Sequence, residues 1–175
     1  MFIISKNSYK TYKNTFIFPV TPVGGNYHFV YAHNGIDFMS YFGEPIYSPV
    51  DGKMDYSEWG HTSNMGGDET SYSISLTIDN PVTIDGKKMT KIFMTHMSGI
   101  RYRCPQSSCS RHVQKGELIG FVGNAAGSST SAGWAPHLHM SIYPGNYNEG
   151  LGTVKIEALY NIPEKTSSYA IKAGG

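Results

Sequence analysis

His137-Leu138-His139 sets two imidazoles two residues apart at the start of a run, 137–143, that reads as a β-strand. At a period of two, both rings leave one face of the strand and Leu138 leaves the other. Two rings roughly 7 Å apart along the backbone can converge on one metal ion or one proton-transfer site. Alone, such a pair equally describes two surface histidines. A second element is His33-Asn34-Gly35-Ile36-Asp37. Fully extended, His33 and Asp37 would stand about 13 Å apart, too far to share an ion. Asn34-Gly35 is a turn dipeptide that bends the backbone and can bring them together. One carboxylate and two neutral imidazoles with an open fourth position form the donor pattern of a catalytic rather than a structural zinc. A third element is His96, closing the apolar run 91–95 just before an expected loop. It is either a partly buried histidine bonded to a backbone carbonyl, or an unligated imidazole that handles protons and a developing oxyanion.

The remaining chemistry-bearing residues have blander settings. His28 and His61 read as structural or surface residues. Cys104 and Cys109 sit in one short loop, Arg101-Tyr102-Arg103-Cys104-Pro105-Gln106-Ser107-Ser108-Cys109. They are expected to be reduced or joined locally. A zinc site with His112 would lack the usual second ligand pair. The chain holds no H-E-x-x-H and no G-x-S-x-G,. The glycine-rich stretch 120–127 carries no GK[ST] and follows no βαβ pattern, so it reads as a strand entering a tight loop.

The elements that must position these residues are strands. Tyr72, Ile74, Leu76 and Ile78 alternate with Ser73, Ser75 and Thr77, the signature of a half-buried strand. Runs 82–84 and 89–95 flank Asp85-Gly86, a hairpin signal. Segments 117–122 and 137–143 also read as strands, and 44–54 as two short strands around a turn at 49–52. No segment sustains a period of 3.6. The expected fold is mostly β: a small antiparallel sheet or sandwich domain with a loop-walled groove and few short helices.

Composition agrees. Of 175 residues, 39% are hydrophobic and 13% aromatic, enough to fill one core,. Charged residues are 15% and the net charge is +1, so no clustered basic excess points to nucleic acid. No apolar run approaches a membrane span. The apolar stretch 2–4 is far shorter than the core of a secretory signal, which leaves an excised or mature domain, a cytoplasmic protein, or export by another route.

Together the three elements resemble the lysostaphin-type zinc endopeptidases, the peptidoglycan-cleaving metallopeptidases of bacteria and phages. His33-Asn34-Gly35-Ile36-Asp37-Phe38, continuing into the segment 43–53 (GEPIYSPVDGK), looks like the family's H-x-G-x-D and the G-x-P-V-x-A-P-x-D-G turn after it. Met94-Thr95-His96-Met97-Ser98 resembles Y-x-H-L-S. The stretch 115–123 (KGELIGFVG) followed by Pro136-His137-Leu138-His139 resembles K-G-x-x-I-G-x-x-G…P-H-L-H. The match covers about 28–159, within one peptidase domain spanning 1–175, with an N-terminal extension at 1–26 and a C-terminal tail at 160–175.

The resemblance implies that His33, Asp37 and His139 hold zinc and that His96 and His137 are the catalytic histidines around a zinc-bound water. It implies cleavage of cross-links or stem peptides of peptidoglycan outside the cytoplasmic membrane. The chain would be a phage virion or tail component, or a domain of a larger secreted hydrolase, without nucleic-acid or membrane partners. A non-catalytic wall-binding or hydrolase-activating relative is the alternative, although such relatives lose ligands that this chain retains. Three stretches depart from the family pattern: the loop carrying Cys104 and Cys109, the stretch 124–135 with Trp134, and the polar segment 64–70.

Overall fold

The computed structural model describes residues 16–32, 35–57, 72–84, 86–123, 135–145, 160 and 169–172. The ten elements assigned among them are all strands: β1 (Asn26–Ala32), β2 (Gly35–Met39), β3 (Pro45–Tyr47), β4 (Gly52–Tyr56), β5 (Tyr72–Ile84), β6 (Lys87–Ile100), β7 (Cys109–Val113), β8 (Leu118–Val122), β9 (His137–Tyr143) and β10 (Tyr169–Lys172). Every pairing is antiparallel. The main path across the sheet is β10-β1-β2-β9-β6-β5-β4-β7, with β8 joining β6 to β3.

Period-two alternation divides the sheet into two chemically different faces. On one lie Ile36, Phe38, Leu138, Met140, Ile142 and Met94, all fully buried. Their pairings, Ile36 with Met140, Phe38 with Leu138, and Met94 with Met140, stack them into one apolar layer. Removing each such side chain from water is worth roughly 1.5–3 kcal/mol. The opposite face carries Asp37, Met39, His137, His139, Ser141 and Thr95. The sheet therefore spends its apolar half on stability and offers its polar half for chemistry.

The hairpin expected around Asp85-Gly86 forms between β5 and β6. Ile84 pairs with Lys87 and Gly86 takes φ 76°, a backbone that glycine adopts without a steric cost. Runs 72–78 and 82–84 join in one strand, with the register shifting between Thr77 and Val82. β6 likewise continues beyond His96 to Ile100, so the loop expected directly after His96 is instead more strand. The segment 44–54 yields β3 and β4, which pair not with each other but with β8, and with β5 and β7.

Described residues of both segments expected to flank the motif region contribute. Phe16 and Val20 are buried, and Ile17 N–H and Tyr47 N–H bond to Pro49 and Pro19 carbonyls at 2.9 and 2.8 Å. Phe18 packs on Tyr27 and Tyr160, with ring centroids 4.2 and 4.7 Å apart. From the segment taken as a C-terminal tail, β10 pairs with β1.

Cys104 and Cys109 form a disulfide with a Cα separation of 5.7 Å. That leaves no thiolate for a metal, and His112 turns instead to Asp79, 2.6 Å away. Beside the bridge, the Arg111 guanidinium lies 4.0 Å over the Tyr102 ring, and the Tyr102 hydroxyl donates to the Glu117 carboxylate. That bond, with the Gln114 amide, holds the Glu117 carboxyl below its ordinary pKa, and pushes the Tyr102 phenol up. Among the described residues no helix is long and apolar enough to cross a membrane.

Candidate active site

Four of the five residues singled out by spacing lie together on the polar face, where β2, β9 and β6 run side by side. Asp37 pairs with His139, and His139 with Thr95. The carboxylate and imidazole are in direct contact, with His139 Nδ1 2.9 Å from Asp37 Oδ1. His137, one period along β9, brings Nε2 to 4.0 Å from the same oxygen. The rings of His96 and His137 are 4.8 Å apart, and those of His96 and His139 6.0 Å. All three histidines are buried, at 3–6% exposure. His33, the fifth residue, lies outside the described residues, as do His61, Trp134 and the segment 64–70. Its described neighbours, Ala32 and Gly35, are paired across the β1–β2 hairpin.

His96 reaches this face through a break in strand alternation. Two steps along β5, from Ile74 to Tyr72, face three along β6, from Met94 to Met97. One extra residue is thus inserted at Thr95–His96, which makes a β-bulge. His96 takes φ 64°, the only positive φ of a non-glycine residue among those described. Strict alternation would send Thr95 to the polar face and His96 into the apolar layer. The bulge keeps Thr95 opposite His139 and still brings the His96 ring beside His137, while Met97 returns to full burial. A left-handed histidine costs on the order of 1 kcal/mol, a strain typical of functional positions. At the same point β6 exchanges β9 for β8 as its partner.

Gly123 ties the two non-adjacent histidines together through the backbone. Its N–H donates to the His96 carbonyl at 2.8 Å, and its own carbonyl accepts the His137 N–H at 3.1 Å. A Cβ at Gly123 would stand 2.5 Å from the His96 oxygen and 2.9 Å from the Ser98 nitrogen, contacts that real side chains do not make. Gly35 is similarly constrained, since a Cβ there would lie 2.3 Å from the Met140 carbonyl oxygen. This gives a steric reason for the glycine in His33-Asn34-Gly35-Ile36-Asp37. The reading of the sequence passed over Gly123 as part of a generic motif, and it passed over Ser141, which a further step of the His137, His139 period would have found.

Hydrogen bonds fix the ring orientations. The nitrogen of His137 nearest Ala135, Nδ1, lies 2.8 Å from its carbonyl oxygen. A carbonyl cannot donate, so Nδ1 carries the proton and Nε2 of the neutral ring carries the lone pair. That lone pair is on the side of Asp37. In His139, Nδ1 faces Asp37 and Nε2 lies 2.9 Å from Ser141 Oγ. Thr95 Oγ1 and Ser73 Oγ are 2.7 Å apart on the same face.

The donor chemistry suits a zinc ion. Donors sharing a tetrahedral zinc lie about 3.3 Å apart for bonds near 2.0 Å, close to the present Asp37–His139 contact. Among the described residues no three His, Cys, Asp or Glu side chains form a metal-sized group; the two expected ligands that are described do meet.

None of the curated proteins matches the chain. Solved structures do. The catalytic domain of lysostaphin from Staphylococcus simulans superposes with TM-score 0.53 at 20% identity, covering 87% of this chain and 97% of that domain. Against the longer lysostaphin chain the TM-score is 0.54 at 21% identity, with 89% of this chain covered but only 50% of that one. A lytM protein from Ruminococcus gnavus gives 0.53 at 18% identity, covering 87% of this chain and 62% of that one. At these identities the likeness is one of fold. The family model of Peptidase family M23 matches residues 31–150, the span that holds Asp37, His96, His137, His139 and both tethering glycines. By that match, and with a fold to suit it, the chain belongs to peptidase family M23.

Proposed function

We propose that the protein is a zinc-dependent endopeptidase that cleaves peptides of bacterial peptidoglycan. The observation that carries this reading is the convergence of Asp37, His139, His137 and His96 on one face, with Asp37 Oδ1 2.9 Å from His139 Nδ1. His33, Asp37 and His139 would hold the metal. Zinc, when bound, supplies a Lewis acid that polarises the scissile carbonyl and lowers the pKa of water. His137 is oriented as the proton acceptor, because its Nδ1–H is committed to the Ala135 carbonyl and its Nε2 faces the site. His96, across a 4.8 Å gap, is placed to donate a hydrogen bond to the oxyanion, and His137 to return the proton it has taken to the leaving amine. Burial of both rings strengthens these charge interactions.

Peptidoglycan as substrate is supported by family membership and by the fold shared with lysostaphin. Action outside the cytoplasmic membrane follows from that substrate, and the Cys104–Cys109 bridge suits an oxidising compartment,. The chain would work as a virion or tail component, or as part of a larger secreted hydrolase. The test compares wild type with His33→Ala for zinc content and for release of peptide termini from purified walls, identified by mass spectrometry. Stoichiometric zinc and new termini in wild type alone are expected. A zinc-loaded wild type that cleaves no wall preparation would sink the reading.

A further inference from the structure

Ser141 follows His139 by one strand period and is 1% exposed. Its Oγ lies 2.9 Å from His139 Nε2, while His139 Nδ1 lies 2.9 Å from Asp37. The imidazole is therefore held at both nitrogens, by a carboxylate on one side and a hydroxyl on the other. The hydroxyl is enclosed by the neighbouring strand. A Cβ at Gly35 would approach Ser141 Oγ to 2.6 Å and His139 Nε2 to 2.9 Å, so glycine is what lets β2 close over this bond.

We propose that Ser141 is a positioning residue that holds the tilt of His139 and supports the tautomer that metal binding requires. This rests on the zinc reading above. A nitrogen that ligates a cation must present a lone pair, which leaves the ring proton on the other nitrogen. Without metal, the Asp37 carboxylate cannot donate, so the 2.9 Å contact keeps the proton on Nδ1 and the Ser141 hydroxyl donates to Nε2,. Ligation at Nδ1 would put the proton on Nε2, where Ser141 Oγ turns to accept it. A hydroxyl accepts this bond without adding a second negative charge beside Asp37, as a carboxylate partner would. Partners of this kind on a metal-bound histidine are worth 10–100-fold in metal affinity.

The experiment measures zinc affinity by chelator competition for wild type, Ser141→Ala and Ser141→Cys. It also records thermal stability of the metal-free proteins and, in the zinc-loaded proteins, the solvent exchange of the His139 Nε2–H, which reports whether that proton is hydrogen-bonded. Ser141→Ala is expected to bind zinc 10–100-fold more weakly, to exchange the Nε2–H faster when zinc-loaded, and to melt near wild type without metal. Ser141→Cys keeps the volume with a poorer acceptor and should be weakened in the same direction. Zinc affinity of Ser141→Ala within twofold of wild type overturns the proposal. So does a Ser141→Cys that binds like wild type, since volume rather than the hydrogen bond would then be what matters. A wild type that takes up no zinc overturns this proposal and the functional reading together, whereas equal binding by wild type and Ser141→Ala overturns this one alone.

Discussion

The carbonyl of His96 accepts the amide of Gly123 at 2.8 Å, and through the next peptide group the same glycine accepts the amide of His137. Two imidazoles from distant parts of the chain are thus spaced by one residue that has no side chain. Replacing it should show how much turnover depends on that spacing. Gly123→Ala forces a Cβ to 2.5 Å from a backbone oxygen, so β8 and β6 must separate. The expected result is a loss of about 2 kcal/mol or more in stability and a fall in kcat larger than any change in KM. Unchanged kcat in a folded Gly123→Ala would show that the tether is dispensable.

His139 and His96 should separate metal binding from turnover. His139→Ala removes a donor and is expected to abolish stoichiometric zinc, because two remaining ligands hold it poorly. His96→Ala should retain zinc and lose roughly 100- to 10,000-fold in kcat. Metal analysis beside a peptide-release assay distinguishes the two, and the opposite pattern would reverse the roles assigned here.

The bulge makes its own prediction. Because His96 sits at φ 64°, His96→Gly should be more stable than His96→Ala by about 1 kcal/mol. Elsewhere in a strand the order would be reversed. Urea denaturation of the two variants decides.

Loss of the Cys104–Cys109 bridge, in a double Cys→Ala variant, should cost about 2 kcal/mol by the loop-entropy relation for so short a loop. Cys104 Sγ lies 3.9 Å from the Tyr56 carbonyl and Cys109 pairs with Tyr56 on the edge strand β7, which β5 and β4 separate from β6 in the sheet. Activity at 25 °C should therefore survive while the melting temperature falls. A variant that is stable but inactive would tie the loop to the substrate.

Glu117 predicts an acid-side change in stability. Its folded-state pKa is lowered, first by the Tyr102 hydroxyl and then by the Gln114 amide. Its contribution is therefore complete above the ordinary value of 4.5 and is lost as pH falls through the lower folded value. Partly exposed, it contributes about 1 kcal/mol or less. Wild type and Glu117→Gln should differ in melting temperature near neutrality and converge only once pH has fallen through the lowered folded-state value, as followed by thermal melts on the acid side,.

What the sequence made legible is what period and turn chemistry encode. Alternation in 72–78 marked β5, Asp85-Gly86 marked the hairpin, and the spacing of His137 and His139 placed both on one face. The bulge was hidden because Met94, Thr95, His96 and Met97 contain no glycine or proline to announce an extra residue. β7 was hidden because an edge strand reading Cys109-Ser110-Arg111-His112-Val113 has little apolar side to bury. β1 and β10 depend on a pairing between segments some 140 residues apart, which no local window contains. Gly123 and Gly35 matter for what cannot fit beside them, and that becomes visible only when the neighbouring strands are in place.

The division of β9 into alternate faces carries one more consequence. Sliding it by a single residue against β2 would send His137, His139 and Ser141 into the apolar layer and present Leu138, Met140 and Ile142 in their place. The error that ruins the core is the same error that empties the site. A mispaired molecule is therefore inert rather than sluggish, and the specific activity of a preparation counts the fraction of chains that found the correct alignment.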